Sequence, residues 1–141
     1  MATIRFYLKG PEEYRFLSNF FPSPFTLDGV RYESNEHYFQ SQKALDPEEA
    51  ESVRSAPTAL EAKRRGRKVA LRSDWPTAKL EVMARGLWAK FTQNPDLRAR
   101  LIATGDAILG EHPRAFRGKG AETGKAVGPI LMDIRNRLRE A

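Results

Sequence analysis

Three residues of one short segment have the types and the spacing for chemistry on a charged substrate. In Ser34-Asn-Glu-His-Tyr-Phe-Gln-Ser-Gln-Lys43, Glu36 and Gln40 are four residues apart, and Gln40 and Lys43 three. On an α-helix that spacing puts all three on one face. A carboxylate, an amide and an ammonium group beside Tyr38 and Phe39 suit neither a plain core nor a solvated face. The stripe reads in two ways. One is a surface ion-pair pattern worth about 0.2–0.5 kcal/mol. The other is a site in which Glu36 is a general base or stabilises a developing cation. In a site, burial among rings would raise the Glu36 pKa, and Lys43 would lower it or anchor a phosphate. His37 points ~100° further round the helix and reads as a packing residue. With no cysteine and only two histidines, His37 and His112, the composition gives no metal site and no thiol nucleophile.

The surrounding sequence says what positions this helix. Ser34 or Asn35 caps its start, and Glu36 in the first turn suits the helix dipole. Upstream, Ile4, Phe6 and Leu8 alternate as in a half-buried strand. Phe25-Thr-Leu27 and Val30-Arg-Tyr32 flank Asp28-Gly29, a hairpin signal. Between these strands, Phe16-Leu-Ser-Asn-Phe-Phe-Pro22 is too aromatic for an idle loop; its rings plug the core, line a pocket, or do both. Downstream, Asp46-Pro47 opens a second helix and Thr58-Ala-Leu-Glu61 a third that runs through the basic stretch. A fourth carries Leu80, Met83, Ala84, Leu87, Trp88 and Phe91 at the spacing of one buried face. Asn94-Pro95 starts a fifth, with Leu97, Leu101 and Ile102 inward, stopped at Gly105. Residues 114–128 hold four glycines and no helical pattern, and Pro129 opens a last amphipathic helix with Ile130, Ile134 and Leu138 inward. The expectation is a single, predominantly helical α+β domain over residues 1–141, with short N-terminal strands and a β-hairpin.

The net charge of +6 points to an anionic partner. Lys63, Arg64, Arg65, Arg67, Lys68 and Arg72 form a run without an acid. It reads as a solvated helix face or as a phosphate-holding surface. A nucleic-acid groove usually interleaves aromatics with its cations, and this run has none. Arg117-Gly-Lys-Gly120 and Thr123-Gly-Lys125 lack the spacing of a nucleotide-binding P-loop, but form a flexible basic stretch that could close over an anion. The N-terminus has no signal-peptide pattern and no run spans a bilayer, so a cytoplasmic protein is expected.

Together these segments resemble the NADAR (YbiA-like) family. The resemblance rests on Phe16-Leu-Ser-Asn-Phe20 and Glu36-His-Tyr-Phe-Gln-x-Gln-Lys43, then on Arg64 to Arg67 with Leu71-Arg72-x-Asp74-Trp75. Lys90-Phe91-x-Gln93-Asn94 and Gly128-x-Ile-Leu-Met132 complete it. It implies hydrolysis of a ribosyl N-glycosidic bond, without metal or other cofactor. The implied substrates are a ribosylaminopyrimidine phosphate of the riboflavin pathway, or ADP-ribosylated guanine, which would make an ADP-ribosylated nucleic acid a partner. The resemblance places catalysis at Glu36 with Lys43. It implies substrate contacts from Asn19, Phe20, Tyr38, Gln40, Arg65, Arg67, Arg72, Lys119 and Lys125. The chain departs from the family in its glycine-rich stretch. The family's Trp-Gly-Asp-like element is replaced by Ala115-Phe-Arg-Gly-Lys-Gly, and Lys125 stands where an asparagine is expected. The alternative expectation is therefore a catalytically weakened module that binds ADP-ribose or a related nucleotide.

Overall fold

A computed structural model describes residues 2–112 and 121–140, without the side chains of residues 121 and 122. The chain forms β1 (Thr3–Phe6), a 3₁₀ helix (Glu12–Leu17), β2 (Phe25–Leu27), β3 (Val30–Tyr32) and α1 (Asn35–Gln42). It continues through α2 (Pro47–Arg54), α3 (Ala59–Gly66), α4 (Trp75–Gln93), α5 (Pro95–Ala103), β4 (Ile108–Glu111) and α6 (Ala121–Glu140). The fold is α+β and mainly helical, as the patterning predicts. No helix among the described residues is long and apolar enough to cross a membrane.

Local chemistry sets several boundaries where the sequence places them. Asp28 and Gly29 both have positive φ, 52° and 78°, and close the antiparallel β2–β3 hairpin. Ser34 Oγ accepts the His37 N–H at 3.2 Å, Asp46 Oδ1 the Glu48 N–H at 2.9 Å, and Thr58 Oγ1 the Glu61 N–H at 3.1 Å. Each satisfies an orphan donor in a first helical turn.

Other expectations are corrected. Strand β1 ends at Phe6 because the chain turns, with Gly10 N donating to the Tyr7 carbonyl at 3.0 Å; Leu8 is left 37% exposed. Helix α3 stops at Gly66, so Lys68 and Arg72 lie beyond it. Of the six stripe residues on α4, Met83, Leu87 and Phe91 are buried, while Leu80 and Trp88 are 43% and 40% exposed. The buried face of α4 is turned from the stripe toward Gly86, Ala89 and Lys90, which apolar spacing does not mark.

Two more corrections concern the C-terminal part. Ile108-Leu-Gly-Glu111 forms β4, parallel to β1, with Ile4 opposite Leu109 and Phe6 opposite Glu111. Helix α6 starts at Ala121 and takes Pro129 into its interior, where Pro129 has no N–H for the Lys125 carbonyl. Gly128 is there for proximity. A Cβ on it would lie 2.2 Å from the Leu109 carbonyl oxygen, so only glycine lets α6 lie this close to β4. The main core joins Ile4, Phe6, Phe16, Leu17, Leu87, Phe91, Leu109, Val127 and Leu131, drawn from both ends of the chain.

Lys90 is the anomaly of this interior. It is fully buried, and its Nζ donates to the Ser18 carbonyl at 2.9 Å. Burial pulls its pKa down to about 7. The contact ties the segment before β2 to α4.

Gly128→Ala is expected to destabilise the protein by about 1–3 kcal/mol in denaturant unfolding, because the obstacle is backbone and cannot swing away. Lys90→Met tests the buried ammonium. From about 7 up to the ordinary lysine value, the unfolded chain binds a proton that the folded one does not. Wild-type Tm is therefore expected to rise relative to Lys90→Met across that window, and to lose this advantage as pH falls through it.

Candidate active site

Helix α1 has no apolar face of the usual kind, yet Asn35 through Ser41 are all buried. Its neighbours approach through glycines. A Cβ on Gly86 of α4 would meet Asn35 Oδ1 at 1.9 Å, and one on Gly66 of α3 would meet Gln40 Oε1 at 2.2 Å. Close packing at these two points encloses a polar helix, so each polar side chain on it needs a partner.

Most are paired. The Glu36 N–H donates to the Asn19 carbonyl at 3.0 Å. Asn35 Nδ2 donates to Asn19 Oδ1 at 2.9 Å and lies 3.3 Å from Met83 Sδ. His37 Nε2 lies 3.0 Å from the Ala56 carbonyl and Nδ1 2.7 Å from Ser34 Oγ. A neutral ring protonated at Nε2 satisfies both contacts, as a packing histidine should. These bonds fix the helix start against the 3₁₀ helix and α4.

Glu36 is 5% exposed. Gln40 Nε2 donates to its Oε2 at 2.9 Å, as the four-residue spacing predicts. Burial pushes the Glu36 carboxyl above the usual carboxylate range; the Gln40 bond and the charges of Lys63, Lys43 and Arg67 pull the other way. Gln40 Oε1 is buried and has no partner among the described residues. Lys43 is the C-cap residue of α1, and its Nζ stands 5.8 Å from the Phe39 ring centroid.

The basic run divides by helical phase. Lys63 and Arg67, four residues apart, act on Glu36. Lys63 Nζ also lies 5.6 Å from the ring centroid of half-buried Phe20, a cation–π distance. Arg65 turns elsewhere, donating to the Ser52 carbonyl at 2.7 Å and standing 3.5 Å from Glu61. Arg72 forks onto Asp74 at 2.5 and 2.7 Å. Tyr38 sits two residues, ~200°, round α1 from Glu36. It packs against Phe25 and Tyr32, with ring centroids 5.8 and 5.0 Å away. Asn19 turns its amide inward to Asn35 and Met83. Lys125 is exposed on α6, and Lys119 lies outside the described residues.

Sequence reasoning missed one acid. Glu111, half-buried at the end of β4, has its carboxyl pushed up to about 8 by burial and by the Glu36 charge, with Lys63 opposing. Lys63 therefore acts on two carboxyl groups. Nothing local in Leu109-Gly-Glu-His112 marks it, because its place depends on the long-range pairing of β4 with β1. Lys63 had a signal, its four-residue spacing from Arg67.

The charges around Glu36 are those of an anion-attracting region. Glu36 lies within the fields of Lys63, Lys43 and Arg67, and Glu111 within that of Lys63, which also stands over the Phe20 ring. Such a charge distribution attracts a phosphorylated ligand, and burial raises the proton affinity of both carboxyls. A separate groove of about 500 Å³ between α4 and α6, lined by Ala84, Trp88, Ile130 and Ile134 among others, has no buried acid.

The NADAR domain model matches residues 5–139. N-glycosidase YbiA of Escherichia coli (strain K12) is 40% identical over 134 residues, covering 90% of this chain and 83% of that protein. N-glycosidase Npun_R5314 of Nostoc punctiforme is 32% identical, covering 97% of this chain and 93% of its own. Riboflavin biosynthesis protein VVA0006 of Vibrio vulnificus is 38% identical over 96% of this chain, which spans 38% of that longer protein. The NMR structure of E. coli YbiA superposes with a TM-score of 0.83 at 37% identity, covering 98% of this chain and 85% of that one. With a match over nearly its whole length and the same fold in a solved relative, the chain belongs to the NADAR family.

Proposed function

We propose that this protein is an N-glycosidase that hydrolyses the bond between C1 of a phosphorylated ribose and a nitrogen base. The observation that carries the reading is Glu36, a buried carboxyl of raised proton affinity, held by the Gln40 amide and acted on by three cations. The names of the E. coli and Nostoc relatives support the reaction type, and that of the Vibrio relative supports a substrate in riboflavin biosynthesis. A ribosylaminopyrimidine phosphate and an ADP-ribosylated guanine, alone or in a nucleic acid, both present the required linkage and phosphate.

Cleavage of such a bond passes through a cation-like state at C1. A carboxylate close to C1 stabilises that charge and takes a proton from the attacking water. Glu36 fills both roles. Its raised proton affinity makes it a stronger base than a free glutamate, and the Gln40 amide fixes one of its oxygens. Lys63, Lys43 and Arg67 supply charge for the phosphate, and Phe20 offers a ring for the base. No step in this sequence calls for a metal.

The binding-only alternative rests on the altered glycine-rich stretch, where Phe116 stands in place of the family's tryptophan and no acid follows it directly. Incubation with both substrate classes, with mass detection of released base or ADP-ribose, separates the two. Turnover supports hydrolysis. Thermal stabilisation by ADP-ribose without release of base from any ribosyl substrate supports binding alone.

Glu36→Gln keeps the shape and removes the charge. Turnover is expected to fall by roughly 10²–10⁴-fold, while ligand-induced thermal stabilisation persists. Retention of wild-type turnover would sink the assignment.

A further inference from the structure

The family resemblance implies a substrate contact at Gln40, but the structure turns this side chain to other partners. Glu36 and Gln40 stand four residues apart on α1, and both are 5% exposed. Gln40 Nε2 donates to Glu36 Oε2 at 2.9 Å. Gln40 Oε1 is enclosed and has no hydrogen-bond partner among the described residues. Helix α3 is what hems the amide in. A Cβ on Gly66 would lie 2.2 Å from Gln40 Oε1, 2.9 Å from Gln40 Cβ and 3.0 Å from its Cδ. The side chain therefore lies directly against α3, at a residue that has no side chain of its own.

A buried amide in this setting is a poor choice for packing alone. Its unpaired acceptor carries a desolvation cost that a methionine of similar length would not incur. The bond that the amide does make is to the carboxyl. A donor on a buried carboxylate favours the charged form and fixes its direction. With Oε2 held, Oε1 of Glu36 is the oxygen left for water and ribose C1. Because Gln40 Oε1 is enclosed and Nε2 is engaged, the side chain acts on Glu36 and not on a ligand.

We propose, resting on the N-glycosidase reading, that Gln40 is a positioning residue: hemmed in by Gly66, it holds Glu36 Oε2 so that Oε1 meets the reacting water. Loss or displacement of the amide frees the Glu36 carboxyl to turn and removes a donor that favours the carboxylate. Among the described residues, the charged groups acting on Glu36 are Lys63, Lys43 and Arg67, and its own charge acts on Glu111. The neighbouring His37 ring is engaged by Ser34 and Ala56. All of these stay the same in the variants below, as do residues 113–120, so a change in Glu36 titration reads the amide.

Gln40→Met, Gly66→Ala and the double variant test this against wild type. With ribosylaminopyrimidine phosphate as substrate, Gln40→Met is expected to lower kcat by about 10–10²-fold, with KM changed by less than about threefold. Catalysis needs Glu36 as a carboxylate, and the Gln40 bond lowers its pKa. The acid limb of kcat should therefore move to higher pH in Gln40→Met. Gly66→Ala pushes the amide aside and should reproduce both effects from another helix, with little further loss in the Gln40→Met background. Carbon NMR of labelled glutamate carboxyls, without substrate, should show Glu36 titrating higher in each variant than in wild type. A kcat within about threefold of wild type in folded Gln40→Met overturns the proposal, as does a loss confined to KM, which a substrate contact would give. So do an acid limb and a Glu36 titration that stay at their wild-type positions, or a Gly66→Ala loss that adds in full to that of Gln40→Met. A wild type that releases no base overturns the N-glycosidase reading instead; the carboxyl titration then still decides whether Gln40 and Gly66 govern Glu36.

Discussion

Moving a carboxylate out of water carries a penalty of several kcal/mol unless donors and opposite charges replace the lost hydration. At Glu36 the structure meets that penalty only in part. The Gln40 amide holds one oxygen, and Lys63, Lys43 and Arg67 act from the rim, yet burial still outweighs them. Its carboxyl is left above the usual carboxylate range. A surface glutamate would be fixed as a carboxylate, and one without partners would be fixed as an acid; neither could exchange a proton usefully at neutral pH.

Keeping Glu36 buried governs much of the surrounding architecture. Helix α1 is polar, so it cannot be held by an apolar stripe, and it is enclosed by close approach instead. Gly66 and Gly86 bring α3 and α4 against it with no room for a methyl group. Its start is stitched to residues 18–20 through Asn19 and Asn35, and Lys90 anchors that segment from α4 through the Ser18 carbonyl. Gly128 likewise lets α6 lie directly against the backbone of β4. The chain thus places several polar groups at risk in its interior to hold one acid in position.

How much of this was legible depended on the range of the interactions. The hairpin at Asp28-Gly29 and the caps at Ser34, Asp46 and Thr58 are set by residues within four positions of one another, and all could be read directly. So could the Glu36–Gln40 bond, which is a matter of helical spacing. Strand β4 could not, because four residues broken by a glycine gain their identity only from pairing with β1, over a hundred positions away. Glu111 was lost with it. The start of α6 was misplaced for a related reason: Gly124, Gly128 and Pro129 read as helix breakers, whereas Gly128 is required by contact with β4. Among the basic residues, composition could not separate Lys63 and Arg67 from Arg65 and Arg72, which are engaged by Ser52, Glu61 and Asp74.

The central claim is one of place, that ribose C1 docks at Glu36. A crystal structure of the inactive Glu36→Gln protein with bound ribosylaminopyrimidine phosphate tests it most directly. The account predicts C1 facing the residue 36 side chain across a single water or at about 3–3.5 Å, with the phosphate among Lys63, Lys43 and Arg67. A ligand seated in the groove between α4 and α6, or C1 turned away from residue 36, would contradict it.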